Sequence, residues 1–163
     1  MYLAILAGHA SGTGRKRMRG RLVATTVLIV AVGGGSLAAD DPVAQRRAWM
    51  RDNAKAERTA NSAILGKFQP DKVTAAMQKI ETNMATFVTL FPSGSETGGE
   101  THADPAIWER PEEFRAMSDL LVEQAKAASI AAATGQDAFA LAWTDTAAVC
   151  AACHATFAPA MTQ

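Results

Sequence analysis

Residues 136–157, QDAFALAWTDTAAVCAACHATF, read as one amphipathic helix that closes on Cys150-Ala151-Ala152-Cys153-His154. Phe139, Trp143, Thr146, Cys150, Cys153, His154 and Phe157 recur at helical steps and share one face. Two thiols and an imidazole so placed suit covalent attachment of haem. Each thiol adds to one vinyl group, and the neighbouring imidazole meets the iron from the same side. Other chemistries fit less well. A zinc site needs a second ligand pair, and Cys150 and Cys153 are the only cysteines. A thioredoxin-like dithiol belongs in βαβ patterning, and no convincing strand can be read. Their spacing on a helix does not favour a disulfide.

Three more helices precede this one. The first spans about Pro42 to Leu65, with Pro42 suited to the first helical position and Gly66 as a stop. The second spans about Pro70 to Leu90, where Val73, Met77, Ile80, Met84, Phe87 and Phe91 form an apolar stripe that Pro92 ends. Residues 92–110, rich in Gly, Ser, Thr and Pro, read as a long connection. The third helix opens at Pro111, Glu112 and Glu113 and buries Phe114, Met117, Leu121 and Ala125 or Ala128 before Gly135. The expected fold is all-α, an antiparallel four-helix bundle with covalently bound haem near the C-terminal helix. Aromatic residues make up only 6% of the chain and alanine abounds, so helices can approach closely while a prosthetic group supplies core volume.

The first 39 residues differ in kind. Arg15 to Arg21 form a basic stretch before an apolar run from Leu22 to Val32, followed by Gly33 to Ala39. That is the layout of a secretory signal peptide, and the run is too short to span a bilayer comfortably. Cleavage is expected after Ala38 or Ala39, placing residues 40–163 in the periplasm as a protein with no stable membrane span. Residues 1–17 put an extra apolar stretch ahead of the basic region, and Met18 offers a later start. Five of the 16 basic residues precede residue 22, while all 16 acidic residues lie at or beyond Asp40, so the part after residue 39 carries a formal charge of −5. That argues against nucleic acid as a partner.

Few residues follow His154, so any sixth iron ligand comes from upstream; Met161 is too close in sequence to reach around the ring. The candidates are Met50, Met77, Met84, Met117 and His102. Met77, Met84 and Met117 sit on apolar stripes, where core packing is their ordinary role. His102 falls in the polar connection and reads as a solvated residue. Met50 lies on a sparse stripe beside Arg46, Asn53 and Glu57, which marks it for function.

From about Val43 to Phe157 the chain resembles the cytochrome c′ family, the class II c-type cytochromes. The likeness is carried by Arg46-x-x-x-Met50, by Leu90-Phe91-Pro92 with its Gly-rich sequel, by Pro105-Ala106-Ile107-Trp108, and by the C-terminal attachment motif with Phe157 three residues on. Met50-Arg51-Asp52-Asn53 and the Ile107-Trp108 loop look most like the low-spin cytochrome c-556 kind. The resemblance implies one haem c with its iron, thioether-linked at Cys150 and Cys153, with His154 as axial ligand, Met50 as second axial ligand and Arg46 at a haem propionate. The family usually has a basic residue after the phenylalanine, where this chain has Ala158. The expected function is one-electron transfer in the periplasm to redox partners met by transient docking. The alternative is a high-spin protein that binds nitric oxide or carbon monoxide at an open distal site. An enzyme is not expected, since no distal histidine is visible for peroxidase chemistry. Family members often pair through their first two helices, which leaves a homodimer open.

Overall fold

The computed structural model describes residues 41–98 and 100–161; the export segment and its cleavage point lie outside the described residues. Helix α1 spans Pro42–Leu65, and its start is set by Asp41, whose carboxylate accepts a hydrogen bond from the Val43 N–H at 2.9 Å. Pro42 loses nothing there, because the first helical N–H has no partner within the helix. The helix stops before Gly66, where a Cβ would sit 3.1 Å from the Ser62 carbonyl oxygen.

Helix α2, Pro70–Ala85, carries Asp71 in its first turn, where the helix dipole favours a negative charge. It ends at Ala85 rather than at the expected Leu90. Thr86 leaves helical geometry, and one 3₁₀ turn follows at Phe87–Leu90. The Thr89 N–H and hydroxyl both donate to the Thr86 carbonyl, at 3.0 and 2.7 Å. Phe87 stays buried through the break, so the apolar spacing runs on across a change of helix type.

The long connection contains an unexpected helical turn, α3, at Ala106–Glu109. Asp104 starts it by accepting from the Ala106 N–H at 2.9 Å, and its own N–H donates to the Phe157 carbonyl at 2.9 Å. Helix α4 spans Pro111–Thr134 and α5 spans Gln136–Phe157, with Gly135 between them. A last 3₁₀ turn covers Pro159–Met161.

The four long helices α1, α2, α4 and α5 form the expected four-helix bundle. Helix α2 packs against α1 and α4, and α4 against α5, while α1 and α5 meet more sparsely. Alanines 56, 60, 63, 76, 125, 128 and 132 are buried, and such small side chains let helix axes approach closely. Met77, Ile80, Met84 and Phe139 fill the remaining space. Polar ties cross the bundle: the Ser118 hydroxyl donates to the Met84 carbonyl at 2.9 Å, and Trp143 Nε1 donates to Asn61 Oδ1 at 2.8 Å. No helix among the described residues is long and apolar enough to cross a membrane.

Candidate functional site

The sparse contact between α1 and α5 leaves space at one end of the bundle. A cavity of about 350 Å³ lies there, within the range of cofactor pockets, bounded by Met50 from α1 and by Cys153, His154 and Phe157 from α5. Much of its wall is aromatic and forms one edge-to-face chain. Phe91 and Phe114 lie 4.8 Å apart between ring centroids, Phe114 and Phe157 5.1 Å, and Phe87 and Phe91 5.1 Å. Ile107, held by the α3 turn, adds to it. This apolar lining, which includes the Cys153 thiol and the His154 imidazole with Cys150 one turn earlier on the same helix, fits a flat, largely apolar macrocycle.

Burial sets the chemistry of Cys150, Cys153 and His154. Loss of solvation pushes both thiols up to about 11, with the charge of Glu57 adding to the effect at Cys150 and the neighbouring Cys150 adding at Cys153. The same loss of solvation lowers the His154 pKa, against a smaller opposite pull from Glu57. Burial thus favours the neutral imidazole, the form that ligates a metal. Cys150 lies one turn before His154 and is half-buried against the core.

The methionines divide cleanly. Met77 and Met84 are core residues, 0% and 2% exposed, and the Met84 sulfur accepts from Asn53 Nδ2 at 3.5 Å. Met117 packs half-buried against that core. Among the described residues, Met50 alone of the methionines before His154 lines the cavity. His102 is exposed, as expected of a loop residue, yet it lies on the cavity margin, as does Met161.

Arg46 has a fuller set of partners than the sequence discloses. It is 4% exposed. Nη1 donates to the Leu90 carbonyl at 3.3 Å and to Ser95 Oγ at 3.1 Å. Nη2 donates to the Ser95 carbonyl at 2.8 Å and to Thr101 Oγ1 at 2.6 Å. The guanidinium also stands 4.6 Å over the Phe91 ring and 5.8 Å from that of Trp108. Four of its five N–H groups are thereby committed, one to the 3₁₀ turn at Leu90 and three to the connection, leaving Nε–H. Arg47 and Arg51 also line the cavity, neither of them marked by the sequence as a site residue, and Arg47 pairs with Glu100. The Phe157 ring beside Ala158 has the Arg110 guanidinium 5.5 Å from its centroid, and that guanidinium pairs with Glu113 at 2.6 Å.

A helical bundle with this cavity and a Cys-x-x-Cys-His run at its edge defines a c-type haem protein. Comparison with known proteins narrows the class. The family model described as Cytochrome C′ matches residues 41–158, and the chain belongs to that family. The chain is 32% identical to the cytochrome c′ of Rhodopseudomonas palustris over 122 residues, 74% of this chain and 82% of that protein. It is 30% identical to the cytochrome c-556 of Agrobacterium fabrum over 142 residues, 86% of this chain and 96% of that one. The solved structure of cytochrome c′ from Rhodopseudomonas palustris superposes with a TM-score of 0.69 at 27% identity, covering 72% of this chain and 95% of that one. The protein is thus a haem c protein with iron as its metal.

Proposed function

We propose that the chain is an exported one-electron carrier in which Cys150 and Cys153 hold haem c through thioethers, His154 ligates the iron and Met50 completes the coordination. The observation that carries this reading is that Met50 from α1 and His154 from α5 line the same cavity. Haem supplies a one-electron change between ferric and ferrous iron. The protein's part is to fix and shelter it. The two thiols and His154, on one helical face, set a single ring orientation. The chain of Phe87, Phe91, Phe114 and Phe157 keeps water from that end of the core. A methionine sulfur as second ligand beside the imidazole would raise the reduction potential and close the site to exogenous ligands. The Arg46 Nε–H is the donor left for a propionate. Export follows the signal-peptide pattern of residues 1–39, with cleavage near Ala38 or Ala39 into the periplasm.

The test is the Met50→Ala variant, purified with its haem. The wild-type visible spectrum is expected to be low-spin. The variant's is expected to be high-spin, with a new ability to bind carbon monoxide. A wild-type protein that is already high-spin and binds carbon monoxide would overturn Met50 ligation and assign the chain to gas binding.

A further inference from the structure

Charge is segregated along the folded part of the chain. Residues 41–85, which contain α1 and α2, hold eight basic and five acidic residues, whereas residues 86–161 hold three basic and ten acidic ones. Arg51, Lys55, Arg58, Lys67, Lys72 and Lys79 are all exposed. Of these, Lys55 alone makes an ion pair among the described residues, with Asp52 at 2.8 Å. Lys55, Arg58, Lys67 and Lys72 line a groove of about 380 Å³ between α1 and α2 with no carboxylate in its wall. A second groove of about 440 Å³ continues past Lys72 to Lys79, and Asp52 is its only acidic lining residue.

The neighbouring cations act on that carboxylate, Lys55 foremost. A hydrogen bond and charge from Lys55, with the charges of Lys79 and Arg51, hold Asp52 below the usual range. Arg51 also lies on the rim of the haem cavity, so the basic surface is continuous with the cavity mouth. Large apolar side chains are nearly absent from it: Leu65 is exposed at the end of α1, and Leu120, Ile130, Leu141 and Met161 lie elsewhere. An obligate subunit interface would be more apolar. Two copies paired across this face would oppose like charges.

We propose that the basic α1–α2 face is the docking surface for an acidic redox protein, which exchanges its electron with the haem beside Arg51. The proposal rests on the electron-carrier reading. Net charge and local charge predict opposite behaviour. A chain of formal charge −5 beyond residue 39 should repel an acidic partner, and added salt would then speed the reaction. A local basic surface should attract it, and salt would slow the reaction.

The experiment is stopped-flow reduction of the ferric holoprotein by reduced flavodoxin, an acidic protein probe. One electron leaves the flavin hydroquinone, giving its semiquinone, and the iron becomes ferrous. The rate is expected to fall roughly tenfold as salt rises from about 10 to about 200 mM. Arg58→Glu with Lys72→Glu should abolish that slope, leaving the visible spectrum and reduction by dithionite unchanged. A rate that rises with salt, or a slope the double variant does not move, overturns the proposal. Sedimentation that shows a dimer dissociated by the same substitutions overturns it too, and gives the face to a second copy. A holoprotein that dithionite cannot reduce overturns the electron-carrier reading itself, separately from the choice of docking face.

Discussion

Replacing Arg46 by leucine tests whether the buried guanidinium holds the connection against the bundle. Leucine removes four charge-assisted hydrogen bonds, one of them long at 3.3 Å to the Leu90 carbonyl. Part of the damage is repaired locally. Ser95 Oγ still donates to the Pro92 carbonyl, and Thr101 Oγ1 still accepts from the Ala103 N–H. The Leu90 and Ser95 carbonyls lose the guanidinium, each a penalty of about 1–3 kcal/mol where burial excludes water. Against this, leucine no longer needs a cation desolvated; burial alone already lowers the arginine's pKa despite the nearby charges of Asp41 and Glu96. The balance is a loss of about 3 kcal/mol, or about 10 °C in Tm for a domain of this size. Arg46→Lys keeps the charge but not the planar fork and should lose about half as much. Thermal unfolding of the holoprotein, followed by far-ultraviolet circular dichroism, measures both. An Arg46→Leu variant within about 1 kcal/mol of wild type would refute the clamp, since desolvation would then offset every bond the arginine makes.

Two further substitutions probe the bundle itself. Phe139 is 0% exposed and lies 5.9 Å from Phe68 between ring centroids; Phe139→Ala should cost about 4 kcal/mol in urea unfolding with the denaturant slope unchanged. Gly135 has φ +141 and ψ 175, with nothing within 4 Å of an added Cβ, so Gly135→Ala should cost about 2 kcal/mol through backbone strain alone. Gly135→Asn should give no relief, because this region lies outside the left-handed helical basin that asparagine tolerates.

What the sequence discloses follows from how far apart the cooperating residues are. The candidate residues Cys150, Cys153 and His154 stand out because attachment and ligation of one ring would demand close spacing on one helix. The stripe from Val73 to Met84 is legible because one helix must bury one face. The end of α2 is not, because Phe87 remains buried across the Thr86 break and periodicity reports burial rather than helix type. Arg46 is illegible for a different reason: its partners Ser95 and Thr101 lie 49 and 55 positions away, in a connection with no repeat to mark which groups face inward.

Met50 shows how a sequence signal can single out a residue through another cause. Its mixed surroundings on α1 singled it out, and the structure accounts for two of those polar neighbours without any ligand. Arg46 is bonded to the connection, and Asn53 accepts from Asn83 Nδ2 at 2.9 Å while donating to the Met84 sulfur. Asn83 also donates to the Trp49 carbonyl at 3.4 Å, so the polar residues around Met50 pin α1 to α2 and to the connection. Ties on both sides of Met50 limit how α1 can shift or turn. A methionine sulfur binds iron through a single soft contact, and that contact needs a helix that does not move. The polar neighbours therefore hold the helix, and the cavity shared with His154 is what supports the ligand role proposed for Met50.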